Sequence, residues 1–411
     1  MPGPRVAYLL LWFPEPSQTF VLDEVNTLVR LGLDVRVYTL YGPRPATRLA
    51  GMAAVLAPVR HLGTAALPRL VRDLVRLGRT WGPGAPRFLR RVAVRRWRGL
   101  ETGGEALWAC LTGVHLAGIM TADGIDHIHA PWANGPATAA WVASTLSGIP
   151  FSFSGRAHDL YPPDGALPEK MAAAQFIRTN TRINQRYLGD LCPHLAGKVV
   201  NVYNGVSLTP VGGTRPPARP PFHLLALGRL VPKKGFGVLL EAGRQLQAQG
   251  VDFHLTLAGD GPERGKIRTL VQELGLTQRV SLPGAVPHRE VPRLMAAAHL
   301  LVMPSLITPW GDRDGIPNVI LEALLCGVPV VASAVSGIPE VIREGETGWL
   351  TAPGDPEALA RAVAAALADP EAVRRRAERG RDLVAREFDS RKNYARLKAQ
   401  FESAVPPHQE R

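Results

Sequence analysis

Cysteine is nearly absent from this chain. Three occur in 411 residues, Cys110, Cys192 and Cys326, scattered and odd in number. No Cys-x-x-Cys spacing exists, so neither a disulfide framework nor a zinc site is supported, and a reducing compartment fits. The Gly-x-Gly-x-x-Gly and Walker patterns are also missing, which disfavours NAD and ATP sites. Solenoid-type repeats are absent. Long apolar runs are lacking too. Val6 to Phe13 is cut by Pro14 and reads as a first strand rather than a signal peptide. The longest apolar segment, about Ala106 to Met120, contains Thr112, His115 and two glycines. It falls short of the ~20 residues of a membrane-spanning helix, so a buried helix is expected.

What is present is ordinary in bulk and uneven in detail. Hydrophobic content of 46% and charged content of 20% suit a globular protein, and the length suits two domains. The net charge is +13, yet Arg60 to Arg98 hold eleven arginines against one acid, Asp73, so +10 lies there and +3 elsewhere. Trp81, Phe88, Leu89, Val92, Val94 and Trp97 interleave with those arginines. Such a segment suits an anionic membrane surface, a solvated charged face, or nucleic acid. No nucleic-acid fold motif supports the last, and nucleic acid is not expected as a partner.

Short β-rich runs alternate with helical patterns in both halves. Strands are expected at Val6–Phe13, Val35–Leu40, Asp126–His129, Phe151–Ser154, Phe176–Thr179 and Val199–Tyr203. The second half offers Phe222–Arg229, Phe253–Ala258, Val280–Pro283, Leu300–Pro304 and Val328–Ala332. Helices are expected at Glu24–Leu31, Gly237–Gln249 and Glu263–Leu274, as one long region over Glu357–Arg386, and finally at Phe388–Phe401. Alternation of this kind implies parallel βαβ units. The Pro/Gly-rich stretch 207–221 is the strongest linker signal. The expected fold class is therefore α/β, with two Rossmann-like doubly wound domains. They span 1–206 and 222–386, joined by the linker 207–221 and followed by a helix and tail over 387–411. Ligands of such sheets bind outside the carboxyl ends of the strands, here in an expected interdomain cleft.

The run from Gly311 to Pro329 carries the clearest chemistry. Asp314 and Glu322 lie eight positions apart around a Gly315-Ile316-Pro317-Asn318-Val319 turn that opens a helix. Pro317 suits the first helical position, and Gly327 marks the stop. Free amides of Asn318 and Val319, with the helix dipole, make an anion site. An ionised Glu322 accepts from neighbouring hydroxyls such as those of a ribose. Earlier, Gly228-Arg229-Leu230-Val231-Pro232-Lys233-Lys234-Gly235 puts basic side chains after a strand, where Arg forks onto phosphate and Lys adds a point charge. Gly259-Asp260-Gly261-Pro262 reads as a turn.

In the first half, Arg156, His158, Asp159 and Tyr161 follow a strand. His127 and His129 alternate along another, one of them facing the cleft; a metal pair there has no third ligand. Ser17 or Thr19 is placed to cap the first helix or to bind acceptor or phosphate with its amides.

Together these residues resemble the retaining GT-B glycosyltransferases of glycosyltransferase family 4, and within it the bacterial exopolysaccharide and colanic-acid-type enzymes. The resemblance covers nearly the whole chain. It rests on Pro16-Ser17-Gln18-Thr19-Phe20, His127-Ile128-His129-Ala130, Arg156 to Tyr161, and Tyr203-Asn204-Gly205-Val206. The second half adds Gly228-Arg229-Leu230 with Lys234-Gly235, Gly259 to Pro262, the 311–329 run, and Ser336-Gly337-Ile338-Pro339-Glu340. It implies that Arg229 and Lys234 hold a donor diphosphate, Glu322 the ribose and Asp314 the donor sugar. The backbone from Gly315 and Ile316 to Val319 would approach both. His158 and Arg156 would be catalytic or sugar contacts, and Ser17, Thr19, Asp159, Tyr161 and Asn204 would lie on the acceptor side. The implied activity is transfer from a UDP- or GDP-linked sugar to a polysaccharide or lipid-linked acceptor, with retention and without a metal or other cofactor. The implied location is cytoplasmic, peripheral on the inner membrane face. The alternatives are a soluble acceptor, or a non-catalytic nucleotide-sugar-binding subunit. Two departures stand out: the first acid is Asp314 where the family commonly has Glu, and Arg156 stands where relatives often carry His.

Overall fold

The computed structural model describes residues 3–49, 52–80, 100–161, 166–206 and 216–405. They form two compact units: Met1–Gly205 with Ser390–Arg411, and Val206–Asp389.

The first unit is built on a seven-stranded sheet of β1 (Arg5–Leu10), β2 (Asp34–Thr39), β3 (Val59–His61), β4 (His127–Ala130), β5 (Phe151–Gly155), β6 (Ile177–Thr179) and β7 (Val199–Asn201). The order is β3-β2-β1-β4-β5-β6-β7, parallel at every pairing. The second sheet holds β8 (Phe222–Leu227), β9 (Phe253–Ala258), β10 (Val280–Gly284), β11 (Leu300–Met303), β12 (Val330–Ser333) and β13 (Trp349–Thr351). Its order is β10-β9-β8-β11-β12-β13, again all parallel. Each order reverses beside the unit's first strand, at β1/β4 and at β8/β11. Chain connections there leave the two sheets' natural ligand crevices.

The central strands are buried on both faces, so they read as apolar runs rather than alternating ones. That is why the sequence locates them well. Two strands escape it, β3 and β13, each three residues long and only partly apolar.

Several helices differ from expectation. The region 357–386 is two helices, Pro356–Ala368 and Pro370–Glu387. Pro370 forces the preceding residue out of helical geometry, and Asp369 (φ −124°, ψ 84°) caps the second helix by accepting from Ala372 N. The first helix is Thr19–Arg30; neither Ser17 nor Thr19 caps it, because Gln18 sits at the N-cap without a side-chain bond. The apolar segment near 106–120 lies in a 23-residue helix, Leu100–Ala122. Its stretch Gly103–Ala122 is long and apolar enough to cross a membrane by length and composition. Just over half of that stretch is buried, and it packs on helix Gly135–Ser147. A Cβ at Gly113 would lie 2.7 Å from the Ala139 carbonyl oxygen and 2.8 Å from Val142 Cβ. Its glycine is therefore a close-packing device in a core helix. The last helix runs Ser390–Ala404 and buries Tyr394, Leu397 and Phe401 against Val6, Tyr8, Leu10 and Val25 of the first unit.

Candidate functional site

In the second unit, the loops after β8 and β11 flank the switch point. The loop after β8 ends in a 3-10 turn, Pro232–Lys234, and Gly235 with φ +64°. A Cβ at Gly235 would sit 1.9 Å from the Pro304 carbonyl oxygen, so only glycine lets the two loops touch. Leu306 N donates to Lys233 O at 2.7 Å across the same contact. From the other side, the Gly259–Gly261 turn braces the basic loop. Cβ atoms there would lie 1.9 Å from Gly228 O and 2.4 Å from Leu230 O, and Leu230 N donates to Asp260 O at 2.9 Å.

This bracing brings two sequence-selected residues, Lys234 and Asp314, together. Lys234 Nζ lies 2.9 Å from Asp314 Oδ2, and Ser305 Oγ donates to the same oxygen at 3.0 Å. Burial pushes the Asp314 carboxyl up, but Lys234, Lys233 and Ser305 outweigh it and hold the pKa below the usual carboxylate value. Asp314 is thus a buried, ionised acid. The neighbouring Lys233 Nζ pairs with Asp312 Oδ1 at 3.0 Å. Arg229 is exposed, and among the described residues its guanidinium has no hydrogen bond or ion pair.

The acidic run differs from expectation at its start. Pro317 is the N-cap (φ −61°, ψ 127°), and the helix is Asn318–Leu325. The first helical amides, from Asn318 and Val319, have no intrahelical acceptor at this position. Gly315 and Asn318 are half-buried, while Ile316 and Val319 are buried. Gly327 (φ +72°) ends the helix, its amide donating to Leu324 O. Glu322 is buried on this helix, with Oε1 3.1 Å from His288 Nε2. His288 was not selected from the sequence; it lies in a 3-10 turn after β10, and nothing in its neighbours marks it. Cys326, one turn on, has its thiol pushed up to about 11 by burial and by Glu322, which makes it a poor nucleophile.

The first unit treats its selected residues differently. Arg156 is buried. Its Nη2 donates to Glu24 Oε2 at 3.1 Å, Nη1 to Asn204 Oδ1 at 2.6 Å and Nε to Pro131 O at 3.0 Å. Arg178 Nη1 meets the same Glu24 oxygen at 2.5 Å and its Nη2 donates to Asn204 Oδ1 at 3.2 Å. Tyr8 Oη donates to Glu24 Oε1 at 3.1 Å. Burial raises the Glu24 carboxyl, but Arg178 and Arg156 outweigh it and hold the pKa at about 2. The acid was legible in principle: Glu24 shares the buried helix stripe of Val21, Val25 and Leu28, where a charge needs a partner.

Asp159 works on the backbone, accepting from Arg156 N (3.0 Å), Ala157 N (2.9 Å) and Ala133 N (2.8 Å). Tyr161 Oη donates to Asn184 Oδ1 at 3.1 Å, and Asn184 Nδ2 donates to Arg156 O. The loop is thereby fixed, and it leaves His158 exposed against Trp132, ring centroids 4.7 Å apart. Ser17 is exposed and Thr19 partly buried, neither joining this network. His127 and His129 correct the sequence reading: both are fully buried, and neither faces a cleft. They share Ser152 Oγ at 2.7 and 2.8 Å and pack against Phe176 and Phe401.

The described part of the arginine-rich segment is residues 60–80, mostly the helix Leu67–Thr80; residues 81–99 lie outside the described residues. Leu70 faces the core, and Asp73 Oδ2 lies 2.6 Å from His115 Nδ1 on the neighbouring helix. Leu67, Val71 and Val75 form a second stripe, each about half exposed, and Leu107 of the neighbouring helix is exposed likewise. Arg69 and Arg72 are exposed on the same helix.

A family model described as Glycosyl transferases group 1 matches residues 216–383. The chain is similar over nearly all its length to the putative colanic acid biosynthesis glycosyltransferase WcaL of Salmonella typhimurium, at 30% identity over 94% of this chain and 96% of that one. It is likewise similar to the amylovoran biosynthesis glycosyltransferase AmsK of Erwinia amylovora, at 28% identity over 87% and 89%. Among solved structures, Alr3699/HepE of Anabaena in complex with UDP matches with a TM-score of 0.69 at 19% identity, over 97% of this chain and 100% of that one. That likeness identifies the fold, the GT-B arrangement of two Rossmann-like domains.

Proposed function

Since the chain belongs to the group 1 glycosyltransferases, we propose that it moves a sugar from a UDP- or GDP-linked donor to a polysaccharide or lipid-linked glycan in exopolysaccharide synthesis, with retention. One observation carries the donor half: the Lys234–Asp314 pair at the β8/β11 switch point, beside the unpartnered guanidinium of Arg229. A diphosphate arriving there meets Arg229 as a fork, Lys234 as a charge shared with Asp314, and the amides of Gly315 to Val319. These groups neutralise the leaving diphosphate, which is where charge develops as the glycosidic bond breaks. In this reading no divalent ion is required, and activity survives a chelator. Glu322, aimed by His288, accepts from the ribose hydroxyls. Asp314, fixed by Lys234 and Ser305, accepts from the donor sugar.

The first unit supplies the acceptor side. His158 is the exposed group presented to substrate. Arg156 is a positioning residue: its bonds to Glu24, Asn204 and Pro131 lock the loop that carries His158. The exposed stripe Leu67/Val71/Val75 with Leu107, on a helix that also exposes Arg69 and Arg72, supports docking on an anionic bilayer. Apolar side chains enter the headgroup boundary while arginines meet lipid phosphates. In this reading the enzyme works at a cytoplasmic membrane face, beside a lipid-linked acceptor.

Donor hydrolysis and binding with UDP-, GDP- and ADP-sugars tests the donor half. Folded protein that neither binds nor turns over any of them overturns it. Flotation with anionic liposomes at two salt concentrations tests the membrane half. Loss of flotation in a Val71→Ser/Val75→Ser variant is expected, and no flotation of the native protein defeats it.

A further inference from the structure

The loop from β11 to helix Asn318–Leu325 carries an apolar side chain that the donor site leaves unused. Thr308 N and Oγ1 both donate to Asp312 O, at 2.9 and 3.1 Å, and Gly311 N donates to Thr308 O at 2.8 Å. These bonds close a tight turn over 308–312. Arg313 Nε donates to Gly311 O at 3.0 Å, and Lys233 Nζ ties Asp312 back to the basic loop. At the apex stands Trp310, 57% exposed, with Ile307 47% exposed three residues earlier. They are the large hydrophobic side chains that the second unit exposes among its described residues.

Among the described residues, the other indoles are covered. Trp12 lies between Arg44 (4.1 Å) and Tyr41 (4.4 Å), Trp108 stacks on Tyr41, Trp132 meets Phe20 and His158, and Trp349 lies under Arg376 at 4.0 Å. Among the described residues, Trp310 has no ring or cation partner. An indole held out on a braced turn gains nothing from its own fold. It offers a rigid flat apolar face to a ring from outside.

Position selects the ring. The turn leads through Arg313 into Asp314, the opposite end of the acidic run from Glu322. In the donor reading above, on which this inference rests, Asp314 marks the sugar end and Glu322 the nucleoside end. A pyranose has an apolar C–H face for the indole and an edge of hydroxyls for carboxylates. We propose that Trp310, with Ile307, is the stacking platform for a pyranose ring at the sugar end of the site, belonging either to the donor or to the terminal residue of the acceptor.

The experiment compares native protein, Trp310→Ala and Trp310→Phe. Binding is measured by calorimetry for the nucleoside diphosphate alone and for its nucleotide sugar, and KM is measured for the glycan acceptor. Trp310→Ala is expected to leave diphosphate affinity within about twofold while weakening one sugar-bearing substrate about tenfold, on the scale of burying part of one aromatic face. Trp310→Phe retains most of the affinity. A loss confined to nucleotide sugar assigns the platform to the donor; a loss confined to acceptor KM assigns it to the acceptor. Native-like binding of all three by Trp310→Ala overturns the proposal. If native protein binds no nucleotide sugar, the donor reading has failed, and a titration with methyl hexopyranosides still decides the platform. A fluorescence change in native protein that Trp310→Ala lacks supports it, and the same response in both defeats it.

Discussion

The two units hold their charges in opposite ways. In the first, Glu24, Arg156 and Arg178 are buried and answer one another completely, with Tyr8 and Asn204 filling the remaining bonds. In the second, Arg229 is exposed and has no partner among the described residues, Lys234 has one carboxylate beneath it, and Glu322 is reached by a half-exposed histidine. A closed charge network stabilises a shape. An open one is incomplete until a ligand arrives. Similar residue types therefore serve architecture in one sheet and, in the proposed reading, recognition in the other.

The sharpest way to break this contrast is Glu24→Ala. Two buried guanidinium groups lose their counter-charge, at a cost of about 3–5 kcal/mol. Hydrogen exchange should show β1, β4 and β5 losing protection before β8 and β11. Equal loss in both sheets would mean that the network is not particular to the first unit. Next is Lys234→Ala, expected to lower turnover by about 10²–10³-fold, with a smaller loss of melting temperature than Glu24→Ala because Lys233 and Ser305 still favour the Asp314 carboxylate. Arg229→Ala should leave melting unchanged and weaken diphosphate binding about tenfold or more. A melting loss as large as that of Glu24→Ala would move Lys234 into the architectural class.

Acid sharpens the comparison further. Burial lowers His127 to about 3 and His129 well below the ordinary imidazole value. Below about pH 6.5 the unfolded chain protonates both while the folded chain does not. The unfolded state then binds more protons, so stability falls as pH drops from 6.5 towards 3, by up to ~1.4 kcal/mol per pH unit for each histidine. Urea denaturation at pH 7.5 and 5.5, followed by exchange in β4 and β5, checks this; a flat profile in those strands contradicts it. The smallest effect is expected from His288→Ala, a few-fold rise in donor KM at unchanged melting, because the histidine is half-exposed and orients Glu322 by one bond.

Much of the second unit was legible because its chemistry is local. Gly315 to Glu322 and Arg229 to Gly235 are contiguous runs, and their turns are set by glycine and proline. The Lys234–Asp314 contact needed only a parallel sheet to join two strand ends. The first unit hid its logic in long-range pairs. Arg156 reads as a catalytic or sugar contact after a strand, yet Glu24, 132 positions away, takes it inside. His127 and His129 alternate along a strand, with one of them expected at the cleft. Ser152 of β5 and Phe401 of the last helix take both into the core. Pro370 was visible in the sequence as a helix breaker, and the expectation of one long helix over 357–386 gave it too little weight.

The last helix has a consequence for the order of synthesis. Tyr394 and Phe401, both fully buried, complete the core around Tyr8, His129 and Phe176. The first 205 residues therefore leave the ribosome without the side chains that finish their interior. The second unit, contiguous from Val206 to Asp389, has all of its own residues before that interior can close. The part of the chain made first is the part that matures last, because its interior waits for residues made after Asp389.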